Sequence, residues 1–398
     1  MKTKVVIAGA GIGGLTAGLS LLQRGFAVEI HEQSPVLAEI GAGLQVSANG
    51  ARVLFALGLG PALRDVYAET AGKEIRLWSS GETWKLFDLG QTSVATWGFP
   101  YFMIHRADLL GILADAVERL APGTVRLNSR CTGVDRTPTG AVVHFEGRDP
   151  VAADAVIGAD GVHSVIRQAL FGKDQPQFTG YIAWRGLVPA AELPAHMLRP
   201  VGTNWVGPGG HVVHYLLRRG ELFNFVGVAE RDDWQVESWT ERGAQEHCAA
   251  DFAGWHQDIQ TVIGRLHAPF KWALLAREPM PRWSQDCITL LGDACHATLP
   301  FLAQGAVMAI EDGFILARCL AHFTGSVETA LAAYERLRRD RTAKVVLGST
   351  ANGKRFHNRA MSSAADAQHY VDTEWQEDKI AERYDWLFRY DAVGLALE

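Results

Sequence analysis

Gly9, Gly11 and Gly14 stand between the apolar run Lys4-Val5-Val6-Ile7-Ala8 and the helix-forming run Leu15-Thr16-Ala17-Gly18-Leu19-Ser20-Leu21-Leu22. A Gly-x-Gly-x-x-Gly spacing in that position suits a turn whose backbone closes on a pyrophosphate. Gly9 makes the tight turn, Gly11 lets the backbone approach the phosphates, and Gly14 lets the helix pack on the strand. The helix N-terminus adds free N–H groups and partial positive charge. Glu32, eighteen residues beyond Gly14, follows the strand-like Ala27-Val28-Glu29-Ile30-His31. A carboxylate there can accept ribose hydroxyls, so the unit reads as a dinucleotide site; the alternative is an ordinary turn with an exposed glutamate.

Two further segments repeat the strand-to-turn pattern: Val156-Ile157-Gly158-Ala159-Asp160-Gly161 and Ile288-Thr289-Leu290-Leu291-Gly292-Asp293. Each acid either caps the following helix or serves a ligand. Cys295 and His296 are adjacent in sequence, and neighbours leaving a strand rarely face each other, so a Cys–His nucleophile is not expected. In Gly210-His211-Val212-Val213-His214-Tyr215, strand alternation puts His211, Val213 and Tyr215 on one face and His214 on the other. Taken alone, that face reads as half-buried sheet with a hydrogen-bonded histidine and tyrosine.

The elements that must position these residues alternate between strand and helix over 107–120, 124–146 and 151–159. Between about Phe178 and Lys271 they give way to short aromatic-rich strands, and after Asp293 to helix. In the tail, Ile380, Tyr384 and Leu387 recur at helical spacing and bury one face. At 398 residues the chain can fold as interleaved domains around one cofactor. A formal net charge of -6 without a basic stripe argues against nucleic acid or an anionic membrane as partner. The apolar N-terminal run is broken by glycines and reads as a buried strand rather than a secretion signal. Five cysteines without Cys-x-x-Cys or zinc spacing fit reduced thiols in the cytoplasm, with no metal site.

In their order, Gly9-x-Gly11-x-x-Gly14 with Glu32, Asp160-Gly161 and Gly292-Asp293 resemble the fingerprints of the single-component (group A) flavoprotein monooxygenases with the p-hydroxybenzoate hydroxylase fold. Arg106, within His105-Arg106-Ala107-Asp108-Leu109, matches a further family position, and the resemblance spans nearly the whole chain. It implies a mixed α/β fold, with a Rossmann-type FAD-binding domain over 1–72, 98–177 and 272–330. An antiparallel-sheet substrate domain over 73–97 and 178–271 would be interleaved with it, and a helical segment would follow over 331–398. By similarity, Arg106 and Glu32 hold the pyrophosphate and adenosine side of FAD, and Asp293 holds the ribityl chain. Asp160-Gly161 serves both FAD and a passing NADH or NADPH, and Gln45, Cys131, Pro300, Gly305 and Ala306 also lie at the cofactor. A helix opening near Gln304-Gly305-Ala306 would aim its positive end at the pyrimidine edge of the flavin.

Within the family the chain most resembles enzymes acting on hydroxybenzoates and hydroxynicotinates, through Gly207-Pro208-Gly209-Gly210-His211-Val212-Val213-His214-Tyr215. The resemblance implies that His211 and Tyr215 line the substrate pocket and assist phenol deprotonation. Gln45 stands shortly after Gly41-Ala42-Gly43-Leu44, where the hydroxynicotinate enzymes carry a histidine. An amide cannot exchange a proton near neutral pH, which argues against hydroxynicotinate as substrate. Pro300-Phe301 likewise departs from the Gln-aromatic pair of the hydroxybenzoate 6-hydroxylases. The expected reaction uses NAD(P)H and O2 and passes through a flavin hydroperoxide that hydroxylates a small aromatic acid, with loss of CO2 where a carboxylate occupies the attacked carbon. Arg185 or Arg218 binds that carboxylate, or each is a solvated surface arginine. The rival readings are an FAD oxidase or dehydrogenase and a flavin-bearing module without turnover. The chain is expected to be a monomer or homodimer.

Overall fold

In the computed structural model, which describes residues 2–37, 43–231, 233 and 242–398, the first two apolar runs form the strands Lys4–Ala8 and Ala27–His31 around the helix Ile12–Leu22. They belong to a six-stranded sheet ordered Ser284–Gln285, Ile288–Leu290, Ala155–Gly158, Lys4–Ala8, Ala27–His31, Val125–Arg126. All pairs are parallel except the edge strand Ser284–Gln285. Val5, Val6, Ile7, Val156 and Ile157 are fully buried, as a parallel sheet covered on both faces requires. The helix Gly305–His322 crosses Ile12–Leu22 so closely that a Cβ on Gly313 would lie 2.6 Å from the Ala17 nitrogen.

Because Lys4–Ala8, Ala155–Gly158 and Ile288–Leu290 are adjacent and parallel, the three sequence fingerprints emerge side by side at their C-terminal ends. The Ala159 N–H donates to the Ala8 carbonyl at 2.8 Å, and the Leu291 N–H to the Gly158 carbonyl at 3.0 Å, so all three turns start at one level. In open parallel sheets this edge is where ligands bind.

A seven-stranded sheet lies beyond it, ordered Phe270–Ala276, Gln177–Pro189, Leu222–Glu230, Gly210–Leu217, Val201–Gly207, Gly72–Leu77, Thr83–Asp88. The expected antiparallel sheet needs one correction, since Val201–Gly207 pairs with Gly72–Leu77 in parallel. The strands also overrun the expected limits, reaching back to Gly72 and Gln177 and on to Ala276. One face of this sheet packs on the C-terminal helices through Phe356, Trp375, Tyr384 and Phe388; the other packs on Phe252, Ile259 and Val262. The tail helix Glu377–Phe388 buries Ile380, Tyr384 and Leu387, the face its spacing marks. No helix among the described residues is long and apolar enough to cross a membrane.

Candidate active site

One cavity runs from the glycine turns of the parallel sheet to the face of the seven-stranded sheet. Its lower wall is Gly11, Ile12, Gly13, Ala159, Gly161, Leu291, Gly292 and Asp293. A Cβ built on Gly11 meets nothing within 4 Å, so any side chain there would project into the space beside the N-terminus of Ile12–Leu22. Gly9 and Gly14 act from behind that wall. Gly9 has φ +103° and its Cβ would strike the Ala159 carbonyl oxygen at 2.3 Å; a Cβ on Gly14 would lie 2.0 Å from the Gly9 carbonyl oxygen. The helix therefore sits against the turn with its amide end exposed to the cavity, a fit for a pyrophosphate-bearing cofactor such as FAD.

The other cofactor candidates divide between the wall and its supports. Arg106, Gln45, Asp293, Pro300, Gly305 and Ala306 line the cavity. Burial lowers the pKa of Arg106 and the charge of Asp293 partly offsets this, so two opposite charges face one space. The helix Gly305–His322 points its N-terminus there, and the Gln304 side chain before it is tied to Ser47 and Asn49. Tyr101 donates its hydroxyl to Gln45 Oε1 at 2.8 Å, which leaves the amide nitrogen for the cavity. Gly41 and Ala42, part of the motif before Gln45, lie outside the described residues.

Glu32, Asp160 and Cys131 do not line the cavity. The Glu32 carboxylate accepts from the Ala10 and Ser34 N–H groups, both at 2.9 Å, and so braces the glycine turn. Asp160 caps the following helix: it accepts from the Ser164 hydroxyl at 2.6 Å and from the N–H groups of Val165 and Ile166. Gly161, with φ +74°, is the member of that pair that reaches the wall. Cys131 directs its thiol to the Gly133 carbonyl, and burial with the nearby Asp160 charge pushes its pKa up to about 12.

The upper wall is built by the strands Gly210–Leu217 and Leu222–Glu230, which present His211, Val213, Tyr215 and Val226. Tyr215 lies against the backbone at Gly43, where a Cβ would sit 2.5 Å from the ring, and Asn224 Oδ1 holds the Gly43 N–H at 2.8 Å. Burial raises the Tyr215 pKa, so the phenol stays protonated. Arg185 joins this wall, stacked 4.3 Å over the Trp272 ring, its pKa lowered to about 10 chiefly by burial and also by Arg106. Arg218 is elsewhere, held by two hydrogen bonds to Asp108. The expectation that either arginine serves the pocket thus narrows to Arg185.

His211 turns Nδ1 away from the cavity to His357 Nε2, 2.6 Å distant. Sequence reading missed His357, which ends the 30-residue helix Val327–Phe356 and lies 146 residues from its partner. It also missed a buried charge network behind the cavity floor. There Arg338 bridges Glu311 and Asp312 at 2.7 and 2.6 Å, Arg341 adds to Glu311, and His296 joins Asp312. Two acids together on Gly305–His322, met by arginines one turn apart, were the available signal. Cys295 bonds the Gly292 carbonyl rather than His296, so no Cys–His pair forms.

A family described as FAD binding domain matches residues 2–349. The chain is 37% identical over 392 residues to 3-amino-4-hydroxybenzoate 2-monooxygenase PtnB3 of Streptomyces platensis, covering 98% of this chain and 97% of that protein. It is 36% identical over 347 residues to 6-hydroxynicotinate 3-monooxygenase of Pseudomonas fluorescens, covering 86% and 89%. Among solved structures, Klebsiella pneumoniae HpxO complexed with FAD and uric acid superposes with a TM-score of 0.84 at 26% identity, covering 97% of each chain. A salicylate hydroxylase substrate complex gives a TM-score of 0.80 at 25% identity over 100% of this chain and 99% of that one. The cavity geometry and these matches have one conclusion: the chain belongs to the FAD binding domain family and is a flavin-dependent aromatic hydroxylase.

Proposed function

We propose that the chain hydroxylates a small phenolic acid of the hydroxybenzoate type, with NADH or NADPH as reductant and O2 as the oxygen source. The observation that carries this reading is the clustering of Arg185, Tyr215 and His211 on one cavity wall, opposite the wall of Gly11, Gly161 and Asp293. Bound FAD supplies hydride acceptance and oxygen activation. Asp293, Arg106 and the N-terminus of Gly305–His322 hold it at the cavity, and Glu32 and Asp160 keep the turns beneath it in shape.

Arg185 provides a planar cationic fork for the substrate carboxylate. With Nδ1 engaged by His357, His211 Nε2 is the nitrogen left for the substrate, and burial keeps the imidazole neutral by lowering its pKa well below the ordinary value. It accepts the phenolic proton, which makes the ring electron-rich. Tyr215 stays protonated and donates to the substrate oxygen, orienting it. The Gln45 amide nitrogen is a second donor, and donors on both sides suit a phenolate. The named relatives act on 3-amino-4-hydroxybenzoate and 6-hydroxynicotinate; the absence of a titratable group at Gln45 favours the benzoate. The test is reduced-nicotinamide oxidation with 3-amino-4-hydroxybenzoate, 3-hydroxybenzoate, salicylate and 6-hydroxynicotinate. The benzoates should stimulate it strongly, whereas stimulation by 6-hydroxynicotinate alone would reverse the substrate assignment.

A further inference from the structure

His211 and His357 continue beyond their 2.6 Å contact. His357 Nδ1, in a side chain only 1% exposed, faces Glu230 Oε1 at 3.3 Å, and the Glu230 side chain is 45% exposed. That last approach is at ion-pair distance but not aligned as a hydrogen bond, and Glu230 has the freedom of a surface carboxylate to align it. The pair is sheathed by Phe301 and Phe356, whose rings lie 5.0 and 5.1 Å from that of His211, and by Tyr181, edge-on to His357 at 5.0 Å. Besides His211, Glu230 and Tyr181 are the titratable groups among the described residues that face His357. Burial and Glu230 raise the Tyr181 pKa, which leaves that phenol protonated. Burial keeps His357 neutral, with its pKa lowered to about 3.

We infer that His211, His357 and Glu230 form a proton wire that carries the substrate's phenolic proton from the cavity to the surface. The inference rests on the phenolic-acid reading above. In sequence, the phenol O–H bond breaks as His211 Nε2–H forms. His211 Nδ1–H then breaks as His357 Nε2–H forms, and His357 Nδ1–H breaks as a Glu230 O–H forms and is lost to bulk water. No net charge stays in the apolar sheath, because each imidazole gains one proton and gives up another; a stranded imidazolium there would be costly. His357 and Glu230 are positioning and relay groups that never touch the substrate.

The test uses oxidised, FAD-loaded full-length protein mixed with 3-amino-4-hydroxybenzoate, 3-hydroxybenzoate or salicylate in weak buffer with a pH-indicator dye, read by stopped flow. Wild type should release a proton on binding. Glu230→Gln and His357→Gln should slow that release by about tenfold or more, the low end of what a positioned acid–base group contributes, with the dissociation constant within about threefold of wild type. Glu230→Asp should restore the rate, and added formate should speed Glu230→Gln. Glu230 is on the surface, so its substitution tests the wire even if a change at buried His357 disturbs folding. Wild-type release rates in Glu230→Gln would overturn the wire alone. If none of the three acids binds or stimulates nicotinamide oxidation, the substrate reading fails and the wire falls with it.

Discussion

The Trp205 indole donates to His214 Nε2 at 3.0 Å, on the face of the strand Gly210–Leu217 that looks away from the cavity. His214 is therefore occupied in the sheet, whereas His211 and Tyr215 on the other face line the cavity. His211→Ala and Tyr215→Phe should each lower hydroxylation by about 10²–10⁴-fold with FAD still bound. His214→Ala should leave turnover near wild type while costing stability. Product and peroxide measured together check this, since lost hydroxylation should appear as peroxide. A His214→Ala variant that binds FAD and is inactive would refute the facing.

Gly11 and Gly14 separate cofactor affinity from folding. A methyl on Gly11 meets no protein atom, so Gly11→Ala should fold with an unchanged apo-protein Tm but bind FAD weakly. At Gly14 the same methyl collides with the Gly9 carbonyl, so Gly14→Ala should unfold the turn. Asp293→Ala should weaken FAD binding by about 1–3 kcal/mol through loss of a charge-assisted hydrogen bond. Glu32→Ala should cost a similar amount of affinity and also lower apo stability, because its carboxylate holds the Ala10 and Ser34 N–H groups. Titration of apo-protein with FAD, beside thermal melts, reads both quantities.

Arg338 is fully buried between Glu311 and Asp312. Arg338→Met would remove the partner that Glu311 and Asp312 share, leaving them to Arg341 and His296, and should cost about 3–5 kcal/mol. Urea unfolding measures this, and a loss below about 1 kcal/mol would mean that Arg341 and His296 suffice to hold the two acids.

Acid should destabilise the protein well above the carboxylate range. Burial lowers His214 and His357 to about 3, and His211 well below its ordinary value. Below about pH 6.5 the unfolded chain takes up protons that the folded chain refuses, so each of these histidines removes about 1.4 kcal/mol per pH unit as pH falls. Glu311 and Asp312, held down by their arginine and histidine partners against the effect of burial, act in the same direction only at lower pH. His214→Phe should flatten the slope of unfolding free energy between pH 6.5 and 5 by about that amount per unit. An unchanged slope would show that His214 titrates normally.

The three strand-turn units could be read from sequence because each is local: a β-branched run, glycines at fixed spacing and a helix former lie within some twenty residues. The alternation through His211, Val213 and Tyr215 was legible for the same reason. What escaped was long-range. Gly72–Leu77 joins Val201–Gly207 in parallel across more than 120 residues, and no pattern within either strand announces the partner. Arg218 and Arg185 look alike in sequence, and only the fold gives Arg218 to Asp108 and Arg185 to the cavity. His357 sits at the end of a long helix whose polar and apolar residues mark no site. In sequence Asp160 reads as either a cap or a ligand, and its bonds to Ser164, Val165 and Ile166, which no local pattern announces, show the capping role.

The most direct measurement is a three-way balance on FAD-loaded enzyme given 3-amino-4-hydroxybenzoate, 3-hydroxybenzoate or salicylate: reduced nicotinamide consumed, O2 consumed and hydroxylated acid formed, in wild type and in Arg185→Met. Hydroxylation at this cavity predicts equimolar consumption and product with at least one acid in wild type. For Arg185→Met it predicts a KM for that acid raised about tenfold or more, the loss of a charge-assisted contact of about 1.5–3 kcal/mol, with FAD retained. Nicotinamide oxidation indifferent to all three acids, or peroxide as the sole fate of oxygen with each, would contradict it.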